Sequence, residues 1–243
     1  MWHNGYPDQA AETADRAVIH AREFGHAHTL AYTLWHTAAV GIFARDVARV
    51  ERLADESAAI SARHGLPFWF AFSEICLGWA VARRGRASEG IVRMRAGLAA
   101  AMATGARIFE PLHLGLIAEG LALDGRTKEG LALLDEALSR AADTGEAATE
   151  AELRRLQGEL LQRLGTANAD AAEAAFAQAV GEARRQGSRG YELRAATSLA
   201  RLWQDQGRRA EARDLLAPLY AWFTEGFDTA DLKEAKELLD ELT

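Results

Sequence analysis

Glycines recur along this chain at a nearly fixed interval. One series is Gly25, Gly65, Gly105, Gly145, Gly187 and Gly226, with gaps of 40, 40, 40, 42 and 39 residues. A second series is Gly5, Gly85, Gly125, Gly165 and Gly207, and Arg45 occupies the place of its missing member. The series interleave about 20 residues apart. A glycine just past a helix end adopts the left-handed conformation without a Cβ penalty, so it is the residue of choice for stopping a helix. Stops at such even spacing leave roughly 16–18 residues per interval, the length of one helix. Self-similarity at a period of this size is the signature of a stacked helical array.

The intervals fall into two kinds. The A helices, which precede the second series, are expected near 27–44, 67–84, 107–124, 147–164 and 189–206. The B helices, which follow it, are expected near 7–24, 46–64, 86–104, 126–144, 169–186 and 208–224, with a last capping helix near 229–242. Pro7 and Pro67 stand at helix starts, where the missing N–H is harmless. Pro218 falls inside a B helix and is expected to kink or break it. Asp228 with Asp231, and Asp170 with Glu173, read as variants of the capping box. Residues Trp2 to Asn4 read as the tail of an A helix whose body is absent. That predicts a fragment of a longer protein, or an open end covered by a partner, since a solenoid end needs a polar cap.

Positions within the unit support close pairing. Seven residues before the inner glycine stand Ala38, Gly78, Ala118, Gly158 and Ala200, all small. Five after it stand Ala10, Val50, Gly90, Gly130 and Ala212. Small residues where A and B cross, with larger ones a turn away, let two helices approach closely. The expected fold is therefore all-α: a right-handed α-solenoid of about six tetratricopeptide-like helix pairs, forming one repeat domain over residues 1–243.

Composition agrees and narrows the function. Ala, Leu, Glu and Arg dominate and only 4 of the 243 residues are proline, which favours helix. The net charge of -7 argues against general nucleic-acid binding, which needs a basic face for phosphates. With one cysteine, Cys76, no internal disulfide can form, and a reduced cytoplasmic setting fits. No apolar run reaches the roughly 18 residues of a membrane helix, and the first residues, MWHNGYPDQA, lack the layout of a signal peptide.

Three stretches carry a family resemblance: WHNGYPDQA (2–10), GLALLDEALSRAADTGEAATEAELRRLQGELL (130–161) and RAATSLARLWQDQGRRAEARDLLAPLYAWFTEGFDTADLKEAKELLDEL (194–242). They resemble the C-terminal tetratricopeptide-like region of bacterial multidomain signalling proteins. In those proteins a class III adenylate/guanylate cyclase or other output domain is followed by an AAA-type ATPase and then by this repeat region. The resemblance implies a regulatory module that senses a partner or a signal. The cyclase and ATPase motifs have no counterpart in these residues, so neither activity carries over.

Catalytic motifs are weak. GLALDGRT (120–127) resembles a phosphate loop only superficially, because no strand precedes it and its first glycine lies inside a helix. His26 and His28 are close in sequence but lack further ligands of a metal set. Cys76 sits between Ile75 and Leu77 as a small hydrophobe would, with no assignable base. No catalytic residue, cofactor or metal is expected. In tetratricopeptide arrays the A helices line the concave side. By that analogy the lining includes Tyr32 and Trp35, then Phe72 and Trp79, then Glu119, then Arg155 and Glu159, then Arg201. The N-terminal half of such a groove is aromatic and the C-terminal half polar, which suits recognition of a peptide or small ligand. Two readings of Trp35 and Trp79 stay open: groove anchors, or side chains packed between repeats. The expected partners are a protein or peptide, upstream domains of the same protein, or a small-molecule effector. Self-association through an unpaired first repeat is a further possibility.

Overall fold

The structure, a computed structural model, describes residues 1–243. Its elements are α1 (Pro7–Phe24), α2 (Ala27–Phe43), α3 (Val47–His64), α4 (Pro67–Arg83), α5 (Ala87–Ala103), α6 (Glu110–Leu123), α7 (Thr127–Thr144), α8 (Glu150–Arg163), α9 (Ala169–Arg185), α10 (Arg189–Asp205), α11 (Arg209–Trp222) and α12 (Ala230–Glu241). Single 3-10 turns at Ala147–Thr149 and Thr166–Asn168 lead into α8 and α9. There is no strand. The fold class is all-α, a tetratricopeptide-like array of helix pairs. In chain order α2 to α11 alternate between A and B places, with α1 in a B place and α12 in an A place, and the packed A/B pairs are α2/α3, α4/α5, α8/α9 and α10/α11.

Nine of the eleven series glycines, all but Gly5 and Gly226, follow a helix end as the spacing requires, and all eleven have positive φ. Arg45 is the instructive case, because its φ of 58° matches the glycines around it. The turn geometry belongs to the repeat, and this side chain has to tolerate a conformation that is unfavourable for residues bearing a Cβ.

Several boundaries differ from the expectation, each for a local reason. The third A helix starts at Glu110 rather than 107. Begun at 107, it would place Pro111 where its ring meets the carbonyl four residues back. Instead Phe109 turns left-handed, with φ 61°, and Pro111 falls in the first turn. Pro218 does not break α11, which runs one more turn to Trp222 before Phe223 becomes extended. Asp228 is not the cap of the last helix. Thr229 holds that place, its hydroxyl donating to the Gly226 carbonyl (2.6 Å), and Asp231 turns toward Arg194. Nor do Asp170 and Glu173 form a capping box, because α9 starts behind a 3-10 turn and Glu173 accepts from Trp203 and Arg208. Residues 2–4 are turns rather than the tail of a helix, and the chain itself covers Trp2.

Packing divides the chain into two compact units, residues 9–133 and residues 1–8 with 134–243. In the first, Leu34, Val50, Leu53, Phe72, Ile75, Met94, Ile117 and Leu121 form the centre of the core. Each such side chain contributes about 1.5–3 kcal/mol on burial. The α4–α5 crossing is the tightest. A Cβ on Gly90 would lie 2.4 Å from the Gly78 carbonyl oxygen, so the two backbones touch where the sequence supplies only glycine. In the second unit, Phe176, Leu193, Leu199, Leu216, Leu232 and Leu238 are central. Gly158 makes room for the Phe176 ring there, with 2.6 Å between its would-be Cβ and the nearest ring carbon.

Candidate binding faces

In the unit of residues 9–133, the A helices α2, α4 and α6 gather aromatic rings. Trp69, partly exposed in the first turn of α4, is the hub. Its ring centroid lies 5.2 Å from Tyr32 and 5.7 Å from Trp35. Its Nε1 donates to His28 Nε2 at 3.0 Å. Tyr32, 44% exposed, packs in a tilted arrangement against His36 at 4.0 Å, and the His36 Nδ1–H is placed to donate to the Tyr32 carbonyl at 2.9 Å. Burial holds His36 below its ordinary pKa, against the opposing effect of that bond. Deeper in, Trp35 lies 5.1 Å from Phe72 and 5.6 Å from Phe109, and Phe72 lies 4.9 Å from His113. The cluster thus runs without a break from a buried floor to an exposed rim. Aromatic pairs in such edge-on and tilted arrangements contribute beyond their buried area.

The structure brings Tyr32, Trp35, Phe72, Trp79 and Glu119 into this one unit. Only Tyr32 and part of Glu119 face water. Trp35 and Trp79 are 3% and 2% exposed, so both pack between repeats. Trp79 Nε1 donates to Glu119 Oε2 at 2.8 Å, and Arg83 holds the other Glu119 oxygen at 3.1 Å. The repeat pattern does not mark Trp69 or Phe109 as part of this face, and it pairs His28 only with His26. Trp69 was within reach, since it stands one helical turn before Phe72 on the same face. Phe109 was hidden inside a stretch read as helix. One buried nitrogen here, His113 Nδ1, makes no hydrogen bond within the protein, while the Trp35 side chain bonds the Cys76 thiol. Burial alone drives the His113 pKa down to about 3, so its ring is neutral.

In the second unit, α8, α10 and α12 present a charged face. Arg155 grips Glu152 through two bonds of 2.9 and 2.8 Å and also meets Glu159. Arg194 donates to both oxygens of Asp231 at 2.9 and 2.6 Å and to Glu152 at 3.2 Å. Burial would raise the Glu152 pKa, but the Arg155 and Arg194 charges outweigh it and hold the carboxyl at about 2. The expected lining residues Arg155 and Glu159 are therefore tied up in a buried ion network. Arg201 stands exposed, two turns past Arg194 along α10. Trp2 covers one edge of this network, with the Arg194 guanidinium 5.0 Å above its ring.

No group of three or more His, Cys, Asp or Glu side chains is placed to hold a metal ion. Burial pushes the Cys76 thiol up to about 12, which leaves no thiolate for nucleophilic chemistry. No helix is long and apolar enough to cross a membrane.

No described protein family matches the chain. Uncharacterized protein R02095 of Rhizobium meliloti (strain 1021) is 31% identical over 205 residues, a match that covers 83% of this chain. The chain spans only about a fifth of that protein, 20% of its length. Among solved structures, a kinesin light chain-type protein of Podosopora anserina with nearly identical TPR-like repeats is 19% identical, with a TM-score of 0.49 over 91% of this chain and 96% of that one. The APC/C hetero-tetramer Cut9–Hcn1 is 13% identical, with a TM-score of 0.44 over 99% of this chain and 46% of that one.

Proposed function

We propose that this chain is a non-catalytic helical-repeat scaffold that binds a protein or peptide through the aromatic face of α2, α4 and α6. It would serve as the regulatory module of a larger bacterial signalling protein, acting in the cytoplasm on a separate partner or on upstream cyclase and ATPase domains. The observation that carries the reading is the ring cluster around Trp69, whose buried floor fixes a rim of Tyr32, His36 and Trp69. Rigid aromatic anchors beside polar groups are the usual centre of a binding hot spot. A match confined to a fifth of a longer bacterial protein supports a module within a larger chain.

The test is Tyr32→Ala combined with Trp69→Ala. Proteins retained by the wild-type chain should be retained at least tenfold less by the double variant, with the helical circular-dichroism signal kept and a lowered melting temperature that still lies well above the assay temperature. Equal retention by a folded variant rejects the face.

The orphaned His113 Nδ1 favours a second reading, a small-ligand sensor. A buried polar atom without a partner costs about 1–3 kcal/mol, which a ligand's polar group would recover. Native mass spectrometry of the purified chain separates the two, since a sensor would retain a small molecule that the His113→Phe variant loses.

A further inference from the structure

Residues Met1–Asp8 belong to the compact unit of residues 134–243 and sit on it as a bound peptide would. The Trp2 indole is 6% exposed and lies edge-on to Tyr191 at 5.1 Å, beneath the Arg194 guanidinium. The amide of Gly190 donates to the His3 carbonyl at 3.1 Å. Gly190 is in the first turn of α10, where an amide has no acceptor within its own helix. A Cβ there would come within 3.0 Å of the Trp2 carbonyl oxygen and 3.1 Å of the indole, so the glycine makes room for the segment. Beyond it, the Asp8 amide donates to Glu225 at 3.0 Å and the Gly226 amide donates to the Asp8 carboxylate at 2.9 Å. A shallow cleft with room for little more than a water adjoins the indole and is lined by Leu193, Phe223 and Leu232 among others.

Two features separate this contact from ordinary core. Trp2 is the most deeply buried side chain of the segment and the His3 ring packs beside it, 5.0 Å from Tyr191, while Asn4 and Tyr6 are exposed, so the attachment is concentrated at residues 2–3. The receiving surface is also built without that anchor. Arg194 is fixed by Asp231 and Glu152, which keeps the cation in position if the indole leaves.

We infer that the notch between α10 and α12 is a recognition site for a short peptide segment carrying a tryptophan followed by a main-chain carbonyl, and that Met1–Asp8 is its built-in occupant. A partner segment of the same chemistry binds by displacing it. The tethered segment competes at an effective concentration of about millimolar, so the closed chain binds such a partner weakly.

The probe is a fluorescently labelled peptide, MWHNGYPD, titrated by anisotropy into the full wild-type chain and into its Trp2→Ala variant. The variant should bind it at least tenfold more tightly than the wild type. Binding should protect the Gly190 amide from hydrogen exchange, and a peptide with alanine in place of tryptophan should not bind. Three results overturn the proposal: a folded variant that binds no more tightly than the wild type, equal binding of the alanine peptide, or binding without protection at Gly190. Unfolding of the Trp2→Ala chain overturns it as well, since the indole would then be core. Tyr32 and Trp69 lie in the other compact unit, so this site and the aromatic face can fail independently.

Discussion

Gly90→Ala tests the packing on which the repeat depends. Gly90 has ordinary helical backbone, without positive φ, so alanine there should gain about 0.8–1.0 kcal/mol from propensity alone. The added methyl would meet the Gly78 carbonyl oxygen at 2.4 Å, and the Ala82 Cβ and nitrogen at 2.7 Å each. Close C···O contacts settle at about 3.3–3.6 Å, so α4 and α5 must part by roughly 1 Å. Two of the atoms met are backbone and cannot rotate away. A gap of about 0.5–1 Å forfeits a quarter to a half of the dispersion energy along the seam. Overpacking costs typically about 1–3 kcal/mol, and rigid backbone on both sides places this site near the top of that range. The net expectation is a loss of about 2 kcal/mol. Gly181→Ala on α9 is the matched control, since its methyl would meet nothing within 4 Å. It should gain about 0.5–1 kcal/mol. Urea titrations followed by circular dichroism read both as shifts of the midpoint at constant slope. Hydrogen exchange should localise the Gly90→Ala loss to α4 and α5, because repeat arrays can open in parts. If Gly90→Ala stabilises the chain as Gly181→Ala does, the close crossing does not hold the pair together.

Two further variants probe buried charge. Arg194→Met leaves Asp231 and Glu152 facing each other without their shared cation, and should cost about 3–5 kcal/mol in a denaturant titration. Arg194→Met combined with Asp231→Leu should recover much of that loss. His113 has the opposite problem, because burial holds its pKa at about 3 against an ordinary 6.5. The folded state keeps the ring neutral while the unfolded chain takes up a proton below pH 6.5. Stability should be full above that pH and fall as the pH drops from 6.5 toward 3. His113→Phe should reduce the fall of the melting temperature between pH 6.5 and 4.5 by no more than about half, because His3, whose pKa burial lowers to about 4, and His36, also held low by burial, titrate in the unfolded chain over the same range. An unchanged slope would show that His113 is not the buried neutral group.

Much of the fold was legible because local and repeated chemistry fixes it. The glycine series places every A/B turn, and the small residues Gly78, Gly90 and Gly158 mark where backbones meet. What failed was read one residue at a time. Asp228 and Asp231 look like a cap in sequence, yet Asp231 is claimed by Arg194, 37 positions away. Trp35 and Trp79 share a face with Tyr32 in the repeat pattern, but the neighbouring pair buries them and leaves Tyr32 and Trp69 at the rim. The segment Trp2–Asn4 fits a repeat that has lost its body, and only tertiary packing shows it lying on α10. A period specifies which residues turn and which cross, because those demands are met within one or two helices. It does not specify which side chains stay in water, because exposure depends on what else the chain brings to the same surface.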